Sequence, residues 1–88
     1  MEPTILDKAV VGVDRDRVRV IQGRIYAVHL PFEGTVVKRL FLDHENRKFI
    51  LRSDNSEYHE EKISFDEGSS FICGQVVWVL QSYEKIVI

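Results

Sequence analysis

Cysteine is almost absent from this 88-residue sequence, with Cys73 as its only example. One thiol closes no internal disulfide, which excludes the stapled scaffolds of small secreted domains and fits a reducing cytoplasm. Its setting in Phe71-Ile72-Cys73 reads as a small buried thiol. Long apolar runs are also missing: none approaches the ~20 residues of a bilayer-spanning helix, and no membrane association is expected. Met1-Glu2-Pro3-Thr4 is acidic and leads into no apolar run, so no signal peptide is expected. Neither sign of charge dominates. A formal net charge of −2 exerts no long-range pull on nucleic acid, so DNA contact is expected only through some other part of a parent protein. His29, His44 and His59 are far apart and follow no zinc spacing, and neither metal, cofactor nor small-molecule ligand is expected. Internal repeats and low-complexity segments are lacking.

What is present describes one small globular domain over residues 1–88. Hydrophobic residues make up 44% and charged residues 30%, unlike a disordered chain, and the core is expected to be modest. Short runs of Val, Ile, Phe, Tyr and Trp separated by turn residues predict an all-β domain. Strands are expected at Ala9–Val13, Arg17–Gln22, Arg24–Leu30, Thr35–Leu42, Lys48–Arg52 and Gly74–Leu80, with a short final one at Lys85–Ile88. Turns are expected at Asp14-Arg15-Asp16, Gln22-Gly23, Pro31–Gly34 and Asp43–Arg47. The polar stretch from Asp54 to about Ser70 reads as loop, with at most one helical turn at Tyr58–Ile63. Regular short strands of this kind predict several packed, coiled β-sheets around a barrel-like core.

Lys38 is the residue with chemical interest. In Thr35-Val36-Val37-Lys38-Arg39-Leu40-Phe41-Leu42, period-two alternation puts Lys38 on one face with Val36, Leu40 and Leu42. Arg39 falls on the other face with Thr35, Val37, Phe41 and Asp43. Burial disfavours a charged lysine, and a neutral amine can act as general base toward a hydroxyl. Spacing alone better suits a stem lying along the core edge with its head in water.

Five motifs in order carry a family resemblance. Met1-Glu2-Pro3-Thr4-Ile5 resembles the segment after the nucleophile in Ser-Lys self-cleaving repressors of the LexA-like phage repressor family, where the motif runs Ser-Met-Glu-Pro-Thr. Asp7–Asp14 is similar to that family's Asp-Gly-Asp strand. Gly23–Val28 and Val37–Leu40 resemble its paired strands, the second of which carries the catalytic lysine. Ser53-Asp54-Asn55 and Gly74–Val79 complete the series. Bacterial signal peptidases share a similar Ser-Met-x-Pro-Thr and a Lys-Arg strand, but they need a membrane anchor, and the Val-Val-Trp-Val ending points to the repressor branch.

The resemblance implies the C-terminal domain of a phage-type repressor, with a LexA/signal-peptidase-like fold. It implies that Lys38 is the general base, that Met1 follows the serine nucleophile, and that Met1, Glu2, Pro3 and Thr4 wall the cleft. The expected serine is not in the chain. Ser53, Ser56, Ser64, Ser69, Ser70 and Ser82 lie elsewhere in the pattern and read as turn or loop hydroxyls. The chain as given is therefore expected to be inert in self-cleavage, since a base without a nucleophile is no catalyst. Departures occur at Lys8, where the family usually has glycine, and at Ala9, where it has its second aspartate. Gln75 replaces a frequent arginine.

Dimerisation in that family, together with the apolar Ile86-Val87-Ile88, makes Trp78, Ile86, Val87 and Ile88 a candidate homodimer interface. An N-terminal helix-turn-helix and cleavage stimulated by RecA filaments would belong to the intact protein. The alternative reading is a stand-alone interaction module that kept the fold and pairs with intact repressors. An independent hydrolase is disfavoured, because no Ser, Cys or Asp has a recognisable partner. Phe32, at the tip of Pro31–Gly34, reads as either a contact or an ordinary surface aromatic. The stripe Arg15, Arg17 and Arg19 reads as a solvated strand face in preference to a phosphate site.

Overall fold

The computed structural model describes residues 10–54 and 59–80. Its elements are β1 (Val10–Asp14), β2 (Ile25–Leu30), β3 (Gly34–Asp43), β4 (Lys48–Arg52), β5 (Glu61–Ser64), the single helical turn α1 (Phe65–Gly68) and β6 (Ile72–Leu80). All six strands join one antiparallel sheet in the order β1-β6-β2-β3-β4-β5. The all-β class is as expected. The barrel-like core is not: the sheet is open, with β1 and β5 at its edges, and the described strands form one sheet instead of several.

Local chemistry sets the central meander. Residues 31–33 turn β2 into β3, with Leu30 paired to Gly34, and Gly34 takes φ +75°, which a glycine adopts without a Cβ penalty. The turn between β3 and β4 is tied by Asp43, whose carboxylate accepts from the Asn46 backbone N–H at 3.2 Å and its amide Nδ2 at 2.9 Å. These hydrogen bonds hold the Asp43 carboxyl below the ordinary aspartate range. On the core-facing side of the meander, Tyr26, Val28, Leu30, Leu40 and Leu51 are buried. Phe49, Ile63, Phe71, Ile72, Val20 and Val36 pack around them.

Three expectations are corrected. Arg17–Gln22 alternates like a strand but joins no ladder. Its polar groups are met singly: the Gln75 N–H donates to the Arg17 carbonyl at 2.9 Å, and the Gln22 side chain brackets the Leu42 backbone. The Tyr26 hydroxyl donates to the Arg19 carbonyl at 3.0 Å and accepts from the Ile21 N–H at 2.8 Å. Within the stretch read as loop, Glu61–Ser64 forms β5 against β4. An edge strand needs only one inward apolar side chain, here Ile63 opposite Phe49, so mixed charge conceals it. Finally, the helical turn falls at Phe65–Gly68, not at Tyr58–Ile63, because Ser64 caps it through Oγ to the Glu67 N–H and Gly68 leaves room for the Phe49 ring. The expected strand at Lys85–Ile88 lies outside the described residues.

Tyr26 is fully buried, and its hydroxyl is the strap that holds Arg17–Gln22 to the sheet. Tyr26→Phe is expected to cost about 1–3 kcal/mol, because it strands a part-buried donor and acceptor. Urea unfolding measures that loss, and faster amide exchange at Ile21 would place it. An unchanged midpoint would mean that water replaces the hydroxyl without penalty.

Candidate active site

Lys38 stands near the middle of β3, opposite Tyr26 of β2. Leu40, two residues on, is 1% exposed, and Val36, two residues back, packs against the core. Lys38 therefore occupies the core-facing side of the strand and is itself half-buried. It is not without a partner. Arg39 emerges on the opposite face. Its guanidinium grips Asp54 with two hydrogen bonds, Nε to Oδ1 at 3.1 Å and Nη2 to Oδ2 at 3.0 Å, and donates from Nη1 to the Gly23 carbonyl at 2.6 Å. The hydrogen bond to Asp54 raises the Arg39 pKa against the opposing pull of partial burial. This fork ties the chain after β4 to the Gln22-Gly23 turn before β2, on either side of β3.

The other residues singled out from the sequence fall as follows. Met1, Glu2, Pro3 and Thr4 lie outside the described residues, as do Ile86, Val87 and Ile88, Ser56 and Ser82. Trp78 lies on β6 opposite Gly12 of β1, and any Cβ at Gly12 would collide with its indole ring. Even so, 55% of Trp78 is exposed, beside exposed Val77, Val79, Leu80 and Val10. These residues form an uncovered apolar band at one end of the sheet.

Among the serines, Ser64 is a helix cap and Ser70 Oγ donates to the Glu67 carbonyl. Ser69 is exposed nearby, and half-buried Ser53 follows β4 directly. Cys73 is half-buried, 3.9 Å from the Phe71 carbonyl. Arg15, Arg17 and Arg19 are exposed, with Arg17 paired to Asp14. Phe32 is fully exposed at its turn. His29 shares a hydrogen bond with Thr35. Among the described residues no cluster of His, Cys, Asp or Glu could hold a metal ion, and no helix is long and apolar enough to cross a membrane.

Sequence reasoning missed the Arg39–Asp54 fork. Its signal was the position of Asp54 two residues past the end of a strand that pairs with β3.

Residues 1–77 match the family described as Peptidase S24-like. The chain is 38% identical over 80 residues to the Repressor protein CI of Enterobacteria phage phi80, a match covering 89% of this chain and 31% of that protein. It thus spans under a third of that relative's length. No solved structure matches it. With the family match running through β1 to β5 and into β6, this chain belongs to the Peptidase S24-like family.

Proposed function

We propose that this chain is the oligomerisation and self-cleavage domain of a phage-type transcriptional repressor, with Lys38 as its general base. The observation that carries the reading is the core-facing, half-buried place of Lys38 between Val36 and Leu40 on the strand where the family resemblance puts the catalytic lysine. In the proposed step the neutral Nζ of Lys38 takes the proton of a serine hydroxyl as its oxygen attacks the scissile carbonyl. That serine would directly precede Met1, with Met1 to Thr4 walling the cleft.

The test places a serine beside Lys38's proposed cleft. A chain extended by a serine before Met1, and by the segment that precedes the matching region in the phage phi80 repressor, is expected to cleave itself. An extended chain that folds and never cleaves would refute the reading.

Within this proposal the domain forms a cytoplasmic homodimer through Trp78 and the C-terminal Ile86, Val87 and Ile88. It would reach DNA only through a separate domain, and RecA filaments would act on the intact repressor as part of a prophage's SOS response. Support comes from the exposed apolar band on β1 and β6, which a second chain would cover. Sedimentation at rising concentration is expected to show a dimer that Trp78→Ala weakens. Monomer alone, together with binding to an intact repressor, would favour instead a module that pairs with such repressors.

A further inference from the structure

The stretch from Asp14 to Arg24 leads from the end of β1 to the start of β2, and it is basic. It holds four arginines and two aspartates, on a chain whose formal net charge is −2. Arg17, Arg39, Arg47 and Arg52 each lie against a carboxylate. Among the described residues Arg15, Arg19 and Arg24 meet none, and all three are exposed on this one stretch. Val18 and Ile21, interleaved with them, are exposed aliphatic side chains. The main chain is open as well. Among the described residues, the backbone N–H and C=O groups of Val18 and Val20 have no hydrogen-bond partner. The surface is nonetheless held in place. A turn closes each end, with the Arg17 N–H donating to the Asp14 carbonyl at 3.1 Å and the Arg24 N–H to the Ile21 carbonyl at 3.2 Å. Between the turns, the Gln75 N–H and the Tyr26 hydroxyl fix the Arg17 and Arg19 carbonyls.

We propose that this stretch is a docking surface for an extended acidic peptide of a partner protein, one that carries aliphatic side chains between its carboxylates. Charge complementarity selects the carboxylates, since a guanidinium binds one through two parallel N–H bonds. The peptide class follows from the other two features. Val18 and Ile21 gain by being covered with aliphatic side chains. The open N–H and C=O groups of Val18 and Val20 match a peptide main chain, as in strand addition. A nucleic-acid backbone offers phosphates to the arginines but neither an amide ladder nor aliphatic cover, and a net charge of −2 exerts no long-range pull on a polyanion. Because two turns and the Tyr26 hydroxyl already hold the stretch, little of it has to be ordered on binding. The inference is independent of the role of Lys38, because the proposed cleavage step uses none of Arg15, Arg19 and Arg24.

The test is a titration of the full 88-residue chain, read by backbone amide NMR, with a synthetic peptide of about ten residues that alternates glutamate with valine. Two further probes accompany it: the same peptide with glutamine in place of glutamate, and a short DNA duplex. The glutamate peptide is expected to shift the amides of residues 17–24 and to bind less tightly at high salt. Both other probes should bind at least about tenfold more weakly. Replacing Arg15→Gln, Arg19→Gln and Arg24→Gln together should weaken the glutamate peptide about tenfold, the effect of three exposed ion pairs of modest strength. The rest of the amide spectrum should stay unchanged. Ile21→Ser should weaken the same peptide about fivefold through lost aliphatic cover. Arg47→Gln, outside the stretch, should not weaken it. Absence of shifts in residues 17–24, or equal binding of the glutamine peptide, would overturn the proposal. So would a duplex that binds as tightly as the glutamate peptide and is indifferent to Ile21→Ser, which would make the stretch a general polyanion surface.

Discussion

Lys38→Ala, introduced into the serine-extended chain, is expected to slow self-cleavage by about 100- to 10,000-fold, the usual contribution of a positioned general base. The variant should fold normally. Lys38 is half-buried on β3, and alanine removes its stem without leaving a buried charge. Lys38→Arg separates the two properties of the residue. It keeps the positive charge and a long stem, but a guanidinium does not give up its proton and cannot serve as a base. It is expected to be as inactive as the alanine variant. Cleavage that survives in Lys38→Arg would show that charge alone suffices, and would end the general-base proposal. Gel analysis of cleavage over time, with the backbone NMR spectrum as the check on folding, measures both.

Leu40→Ala is expected to be the most damaging single change to the fold. Leu40 is 1% exposed, sits opposite Leu51 at 3%, and belongs to the cluster that also holds Tyr26 and Val28. Removing a buried leucine side chain costs about 2–5 kcal/mol, part lost transfer energy and part cavity. A domain of 88 residues holds roughly 4–13 kcal/mol in all, so the variant approaches the unfolding threshold. Its urea midpoint should fall by roughly 1–3 M. Thr35→Ala, at an exposed site on the same strand, should move it little. A Leu40 loss below about 1 kcal/mol would contradict the placement of the core on this face. The change also bears on function, since Leu40 helps form the apolar wall beside Lys38.

The chain by itself determined the strands whose period-two pattern is strong: β2, β3 and β4 lie close to the expected runs, and the sides of Lys38 and Arg39 follow from alternation alone. It also carried the motifs of its family. These are local properties, set by side-chain alternation and turn residues within a few positions of one another. Only the tertiary structure decided the rest. Arg17–Gln22 has the alternation of a strand, but a strand exists only where a neighbour offers a row of partners, and here β6 pairs with β1 and β2 while side chains serve that segment instead. Glu61–Ser64 has almost no apolar signal, yet β4 offers it a ladder. The Arg39–Asp54 fork joins residues 15 apart in sequence. Alternation is encoded residue by residue. Register, sheet order and the partner of a charged side chain come from distant segments meeting, and no local pattern carries them.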